Sequence, residues 1–159
     1  MKALTIALTV VLAQAPLFRP ALEEWRGIVP LHSTRQDVER LMGQNKIRCN
    51  AQACLYDLGT ETVLVLYASE PMCKNDGATT AWRVPRDTVI EISVRFKTER
   101  QLSDLGFDLT KFERTVDKEL PGWVYYNNRE DGVEIEGTDK TAIAVNYFQT
   151  AKDKKLRCP

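Results

Sequence analysis

Apolar positions change their spacing along this chain, and each spacing predicts an element. Between Gly27 and Gly43, Val38, Leu41 and Met42 fall at i, i+3 and i+4, behind Ser33 and Thr34. That pattern predicts a short amphipathic helix with its N-cap at Ser33 or Thr34, a capping-box spacing from Ser33 to Gln36, and a stop at Gly43. Beyond Cys54 the apolar period drops to two. Residues 55–58 read as a strand that turns at Gly59 into residues 62–67, whose unbroken apolar run predicts a strand covered on both faces. Residues 69–87, with Pro71, Gly77 and Pro85, read as irregular. In residues 89–96, Ile90, Ile92, Val94 and Phe96 alternate with Glu91, Ser93 and Arg95, so this strand has a dry face and a wet one.

The second half restates the first. Residues 109–116 resemble a capped short helix, and residues 122–128, 132–136 and 141–148 read as strands joined by turn chemistry at 129–132 and 137–140. The expected class is α+β: an antiparallel sheet of five to six strands with two short helices packed on one face. Because each half reads helix, strand, strand, strand, a tandem repeat is one form this could take.

The N-terminus predicts the compartment. Lys2 precedes an uncharged apolar run from Ala3 to Ala13, followed by Gln14, Ala15 and Pro16. Residues 1–15 read as a secretory signal peptide with cleavage after about Ala13 to Ala15, leaving residues 16–159 as a single exported domain. A membrane anchor would need about 20 apolar residues, and Gln14 and Pro16 interrupt the run first. No stable membrane span is therefore expected after processing, and no cysteine stands near the cleavage zone to carry a lipid.

Four cysteines behind an export signal read as two disulfides, for which three connectivities exist. Cys49 and Cys54 lie close enough to close a local loop, which would leave Cys73 to pair with Cys158 and dock the C-terminal tail. Cys-x4-Cys without a second close pair matches no common zinc spacing. The chain has 159 residues, a length that suits one domain with an ordinary core. Its 22 basic residues balance 22 acidic ones, which removes the electrostatic footprint that nucleic-acid binding requires.

The residues from Gly27 to Gly43, with their Gly-Ile, Ser-Thr, Asp-Val-Glu and Leu-Met-Gly pieces, resemble the helix start of the SmpA/OmlA outer-membrane assembly lipoproteins. Those share a fold with β-lactamase inhibitor proteins, which implies helices packed on an antiparallel sheet in one or two repeats. The match covers this helix alone, and the chain departs from that family in lacking a lipid-bearing cysteine and in adding disulfides. Residues 25–31 (Trp-Arg-Gly-Ile-Val-Pro-Leu) and 151–158 (Ala-Lys-Asp-Lys-Lys-Leu-Arg-Cys) also resemble a group of uncharacterised secreted bacterial proteins. That resemblance implies compartment and no chemistry.

Candidate chemistry is sparse. The single histidine, His32, stands beside Ser33, but a nucleophile and base need an orienting third group that the sequence does not identify. Glu134 and Glu136 share a strand face and Glu91 a neighbouring wet face. Paired carboxylates of this kind serve sugar hydrolysis, although alternation with Val133 and Ile135 is also what a solvated strand requires. The acidic residues from Glu130 to Asp139 lack the calcium-loop pattern. Trp123 and Tyr125 project from one side of their strand and Tyr126 from the other; whichever set is exposed would anchor a partner. No catalytic, cofactor-binding or metal-binding residue is assigned. The expected function is a non-enzymatic exported domain that acts by protein interaction or structural support in the cell envelope, with a small hydrolase using paired carboxylates as the alternative.

Overall fold

The alternating pattern is realised on a larger scale than the sequence predicts. The computed structural model describes residues 23–69, 73 and 82–158, so the signal-peptide reading of residues 1–15 lies outside the described residues. It contains eight strands: β1 (Lys46–Cys49), β2 (Ala53–Asp57), β3 (Glu61–Tyr67), β4 (Val89–Gln101), β5 (Glu113–Val116), β6 (Val124–Asn128), β7 (Val133–Gly137) and β8 (Thr141–Tyr147). They form one antiparallel sheet in the order β1-β2-β3-β4-β8-β7-β6-β5. Two four-stranded meanders thus meet where β4 pairs with β8, with Val94 opposite Val145 and Ile92 opposite Tyr147.

This corrects the expected five to six strands with two helices. A single α-helix, α1 (Arg35–Met42), is present among the described residues. Residues 109–116 were expected to be the second helix. Asp108 does cap a turn there, but only the 3-10 turn Leu109–Lys111 forms, after which Phe112 drops into the core and β5 pairs with β6. β-Branched Thr115 and Val116 favour that extended course. The strand missed altogether, β1, has only four residues, and all are exposed, so its alternating Ile47 and Cys49 mark no buried face. With four strands in each half and the one α-helix ahead of β1, the helix-strand-strand-strand unit does not fit the described residues.

α1 itself starts where expected but is capped differently. Thr34 is the N-cap, and its partner is Asp37 rather than Gln36: the Asp37 carboxylate accepts from the Thr34 N–H at 2.8 Å and the Thr34 hydroxyl accepts from the Asp37 N–H at 3.3 Å. Ser33 is buried, and its hydroxyl oxygen accepts from the Val29 N–H at 2.9 Å.

One sheet face carries the core. Tyr56, Val63, Val94, Val145 and Ile135 run across it in register. Val38 and Met42 of α1 cover the β2 and β3 side, and Leu102, Phe107 and Phe112 belong to the same cluster. β3 is one-sided, contrary to its apolar run: Val63, Val65 and Tyr67 are buried while Leu64 on the other face is exposed. Glu61 enters this core face almost fully buried. A buried carboxylate needs compensating partners. Arg26 and Arg100 supply them at 2.8 and 3.1 Å, stacking on Trp25 and Phe96 as they do so. Burial and the Glu61 charge push the Tyr147 hydroxyl up to about 12.

A smaller cluster of Leu31, Ala68, Trp82 and Val84, with Ile90 and Leu156 packed against it, closes one end of the sheet. The Cys73–Cys158 disulfide anchors the tail there, and Cys49–Cys54 joins β1 to β2. Two disulfides suggest an extracytoplasmic location. No helix of the described residues is long and apolar enough to cross a membrane.

The two bridges close loops of very different length, with sequence separations of 85 and 5. By chain entropy the Cys73→Ser/Cys158→Ser variant loses about 4–5 kcal/mol of stability and the Cys49→Ser/Cys54→Ser variant about 2 kcal/mol, an order that urea unfolding checks. Gly132 has a φ of +68°, and a side chain there would meet the Phe148 carbonyl oxygen. Gly132→Ala is expected to cost roughly 2 kcal/mol or more in the same measurement.

Candidate functional site

The face opposite the core is where the unassigned polar chemistry gathers. Strand alternation sends two registers of side chains to it. One runs Leu64, Ser93, Asn146, Glu134 and Asn127; the other runs Thr62, Arg95, Ala144, Glu136 and Tyr125. Glu91 stands opposite Leu66 beside the first. Most of these residues are half-buried, while Leu64 and Arg95 are exposed.

Three carboxylates therefore converge on this face. The Asn146 side-chain amide donates to Glu136 at 2.6 Å and to Glu134 at 3.3 Å, bridging two of them. Burial, and then the charges of Glu134 and Glu136, hold the Glu91 carboxyl above the usual carboxylate range. Glu134 is also raised, by burial and by Glu136, although hydrogen bonds from Asn146 and Asn127 offset part of the shift. Desolvation and like-charge repulsion both penalise the ionised forms. A cation brought to this face would relieve them.

The aromatic residues singled out from the sequence separate as strand geometry demands. Tyr126 is buried in the core, with its hydroxyl donating to Asp139 at 3.3 Å, so it offers no surface. Trp123 and Tyr125 stay half-buried, and Tyr125 lies on the carboxylate face with its hydroxyl 3.3 Å from Asp117. The cysteines singled out, Cys49, Cys54, Cys73 and Cys158, are paired as two disulfides. Glu39 approaches Cys49 and Cys54, but both sulfurs are bonded to each other and offer no thiolate to a metal.

Two features were not legible in the sequence. His32 Nε2 lies 2.8 Å from the buried Asp153, the orienting group that no local spacing could reveal. Burial pushes Asp153 up, but the hydroxyl and N–H of Thr150 together with His32 outweigh it and leave the carboxyl below its usual range. Ser33 Oγ accepts from the Val29 N–H within its own turn, and the His32–Asp153 contact ties that turn to the C-terminal 3-10 turn Ala151–Leu156. The second feature is a groove of about 690 Å³ at the end of the sheet, lined by Trp82, Asn127, Phe148 and basic side chains.

The raised Glu91 has a definite pH signature. At low pH the carboxyl is protonated in folded and unfolded chains alike. As the pH rises through the usual glutamate range the unfolded chain ionises first, so this group costs the folded state stability at neutral pH. Glu91→Gln is expected to raise the melting temperature at pH 7 by roughly 2–4 °C, and the gain should disappear at about pH 3. Thermal unfolding followed by circular dichroism at the two pH values checks this; a gain equal at both would rule out relief of charge as its source.

The chain matches no protein-family model, no curated protein and no solved structure, so its function is argued from its own residues.

Proposed function

We propose that this is a non-enzymatic domain that works outside the cytoplasm, periplasmic or secreted, by binding a protein of the cell envelope or its surroundings. The single observation that carries the reading is the half-open face of the sheet, on which Glu91, Glu134 and Glu136 crowd together. Nothing about folding requires three carboxylates to share a half-buried site in which burial, and then mutual repulsion, raises two of them. A Lys- or Arg-bearing segment of a partner would neutralise the cluster, with Leu64 and Tyr125 on the same face as apolar contact. The signal-peptide pattern and the two disulfides support the compartment. A purely supporting role in the envelope would use the same face.

A second reading, sugar hydrolysis by Glu91 paired with Glu134 or Glu136, has one observation in its favour. Raised carboxyls sharing a face are the arrangement from which a general acid is drawn. It requires turnover of aryl glycosides by the wild-type protein that Glu91→Gln abolishes. Absence of wild-type turnover retires it.

The main reading is tested by affinity capture from an envelope extract, with the wild-type domain and the Glu91→Gln/Glu134→Gln/Glu136→Gln variant in parallel. The expected result is a protein enriched by the wild type and about tenfold less by the variant, with the enrichment falling as salt is raised. Equal enrichment by both, or none by either, overturns it.

A further inference from the structure

The groove at the end of the sheet uses none of the three carboxylates, and its chemistry has the opposite sign. Its walls come from the β6–β7 turn (Arg129 and Glu130), the segment after β8 (Phe148 and Gln149), the C-terminal 3-10 turn with Lys154, then Arg157, and Trp82. Its volume of about 690 Å³ lies inside the range of small-molecule sites, and Phe148, Ala151 and the buried Trp82 give it an apolar part.

The groove is held in shape from several parts of the chain. The Phe148 N–H donates to the Gly132 carbonyl at 2.8 Å, and the Ala151 N–H donates to the Glu130 backbone carbonyl at 3.2 Å. Thr150 and the buried Asp153 cap the 3-10 turn that His32 grips from outside. Across the groove the Arg83 N–H donates to Leu156 at 2.6 Å, Trp82 bridges to Arg157, and Cys73–Cys158 closes the tail beyond. Walls tied in this way are formed before a ligand arrives, which lowers the cost of binding.

Charge decides what the groove would take. Arg129, Lys154 and Arg157 line it against one acid, Glu130. Arg129 and Lys154 are exposed and have no ion-pair partner among the described residues, whereas Lys152 on the same turn is already paired with Glu23. The Arg157 guanidinium lies 5.8 Å from the centre of the Trp82 ring, so its charge stands at the aromatic wall. Asn127 and Gln149 add amide donors and acceptors.

We propose that this groove binds a small anionic molecule with an apolar or aromatic body, its oxyanion held by Arg129 and Lys154 and its body laid along the half-buried Phe148. The groove shares Asn127 with the acidic sheet face, but the substitutions that test one reading touch no residue that carries the other, so either can fail alone.

The test uses 2-naphthoate and its neutral counterpart 2-naphthamide, titrated into the disulfide-bonded protein by calorimetry and by amide chemical-shift mapping. Expected is sub-millimolar binding of the carboxylate, at least about tenfold tighter than the amide, since charge-assisted bonds are the stronger class. Its shift changes should centre on Arg129, Phe148 and Lys154. Arg129→Gln/Lys154→Gln should weaken the carboxylate about tenfold and leave the amide unchanged. Both side chains are exposed, so the melting temperature of this variant should stay within about 2 °C of the wild type. Equal affinity for acid and amide overturns the proposal. So does carboxylate affinity that survives the double substitution in a folded protein, or no change at the groove up to about 10 mM ligand.

Discussion

Everything in this fold depends on β4 pairing with β8. Val94 meets Val145 and Ile92 meets Tyr147 along that seam, and the seam alone joins the two meanders into one sheet. Neither meander has a full layer of its own to pack on. α1 covers one side of the core face, and the turns after β4 contribute to the same cluster, so the apolar rows become continuous only when the seam forms. Because β8 lies far from β4 in sequence, the seam is a non-local contact whose loop-closure entropy must be offset by the burial it completes.

The same seam sets the electrostatics. Bringing β8 and β7 beside β4 carries Glu134 and Glu136 on the outer face toward Glu91, with Asn146 between them. On the inner face it sets Tyr147 near Glu61, whose charge is compensated by an arginine from each side of the core. One carboxylate is thus fully buried and paired, while three others are half-buried and left to repel each other. The contrast is physical: desolvation is repaid at Glu61 by two guanidiniums, whereas on the outer face only the neutral amides of Asn146 and Asn127 offset it. The basic groove lies at the end of the sheet, so a chain of zero formal charge presents two local fields of opposite sign.

What could be read from single positions was local. The period-two alternation in residues 89–96 placed Ile92, Val94 and Phe96 on one face and Glu91 and Ser93 on the other. A register shift opposite Leu66 and Tyr67, however, turns Val89 into the main core and leaves Ile90 on the smaller cluster. The same period separated Trp123 and Tyr125 from Tyr126. Apolar spacing and caps placed α1 to within a residue or two, because a helix is specified by contacts three and four residues apart. The failures were also physical. β1 is an exposed edge of four residues, too short for its alternation of Ile47 and Cys49 to stand out, and β5 followed a capped turn whose start looks like that of a helix. The apolar run of β3 suggested cover on both faces, yet Leu64 is exposed. Composition does not distinguish a buried second face from one left bare.

The sequence by itself therefore determined α1, the turns at Gly59, 129–132 and 137–140 that pair neighbouring strands, and the two faces of the strands that alternate cleanly, while its four cysteines suggest an oxidising compartment. Tertiary structure alone decided the rest: the strand count, the convergence of Glu91 with Glu134 and Glu136, the His32–Asp153 contact, and the groove of Arg129 and Lys154. Short-range order follows from side chains that repeat every two or four residues, and such periods are visible in a string of letters. Convergence across the β4–β8 seam and docking of the tail depend on which distant surfaces exclude water together, and no local period records that.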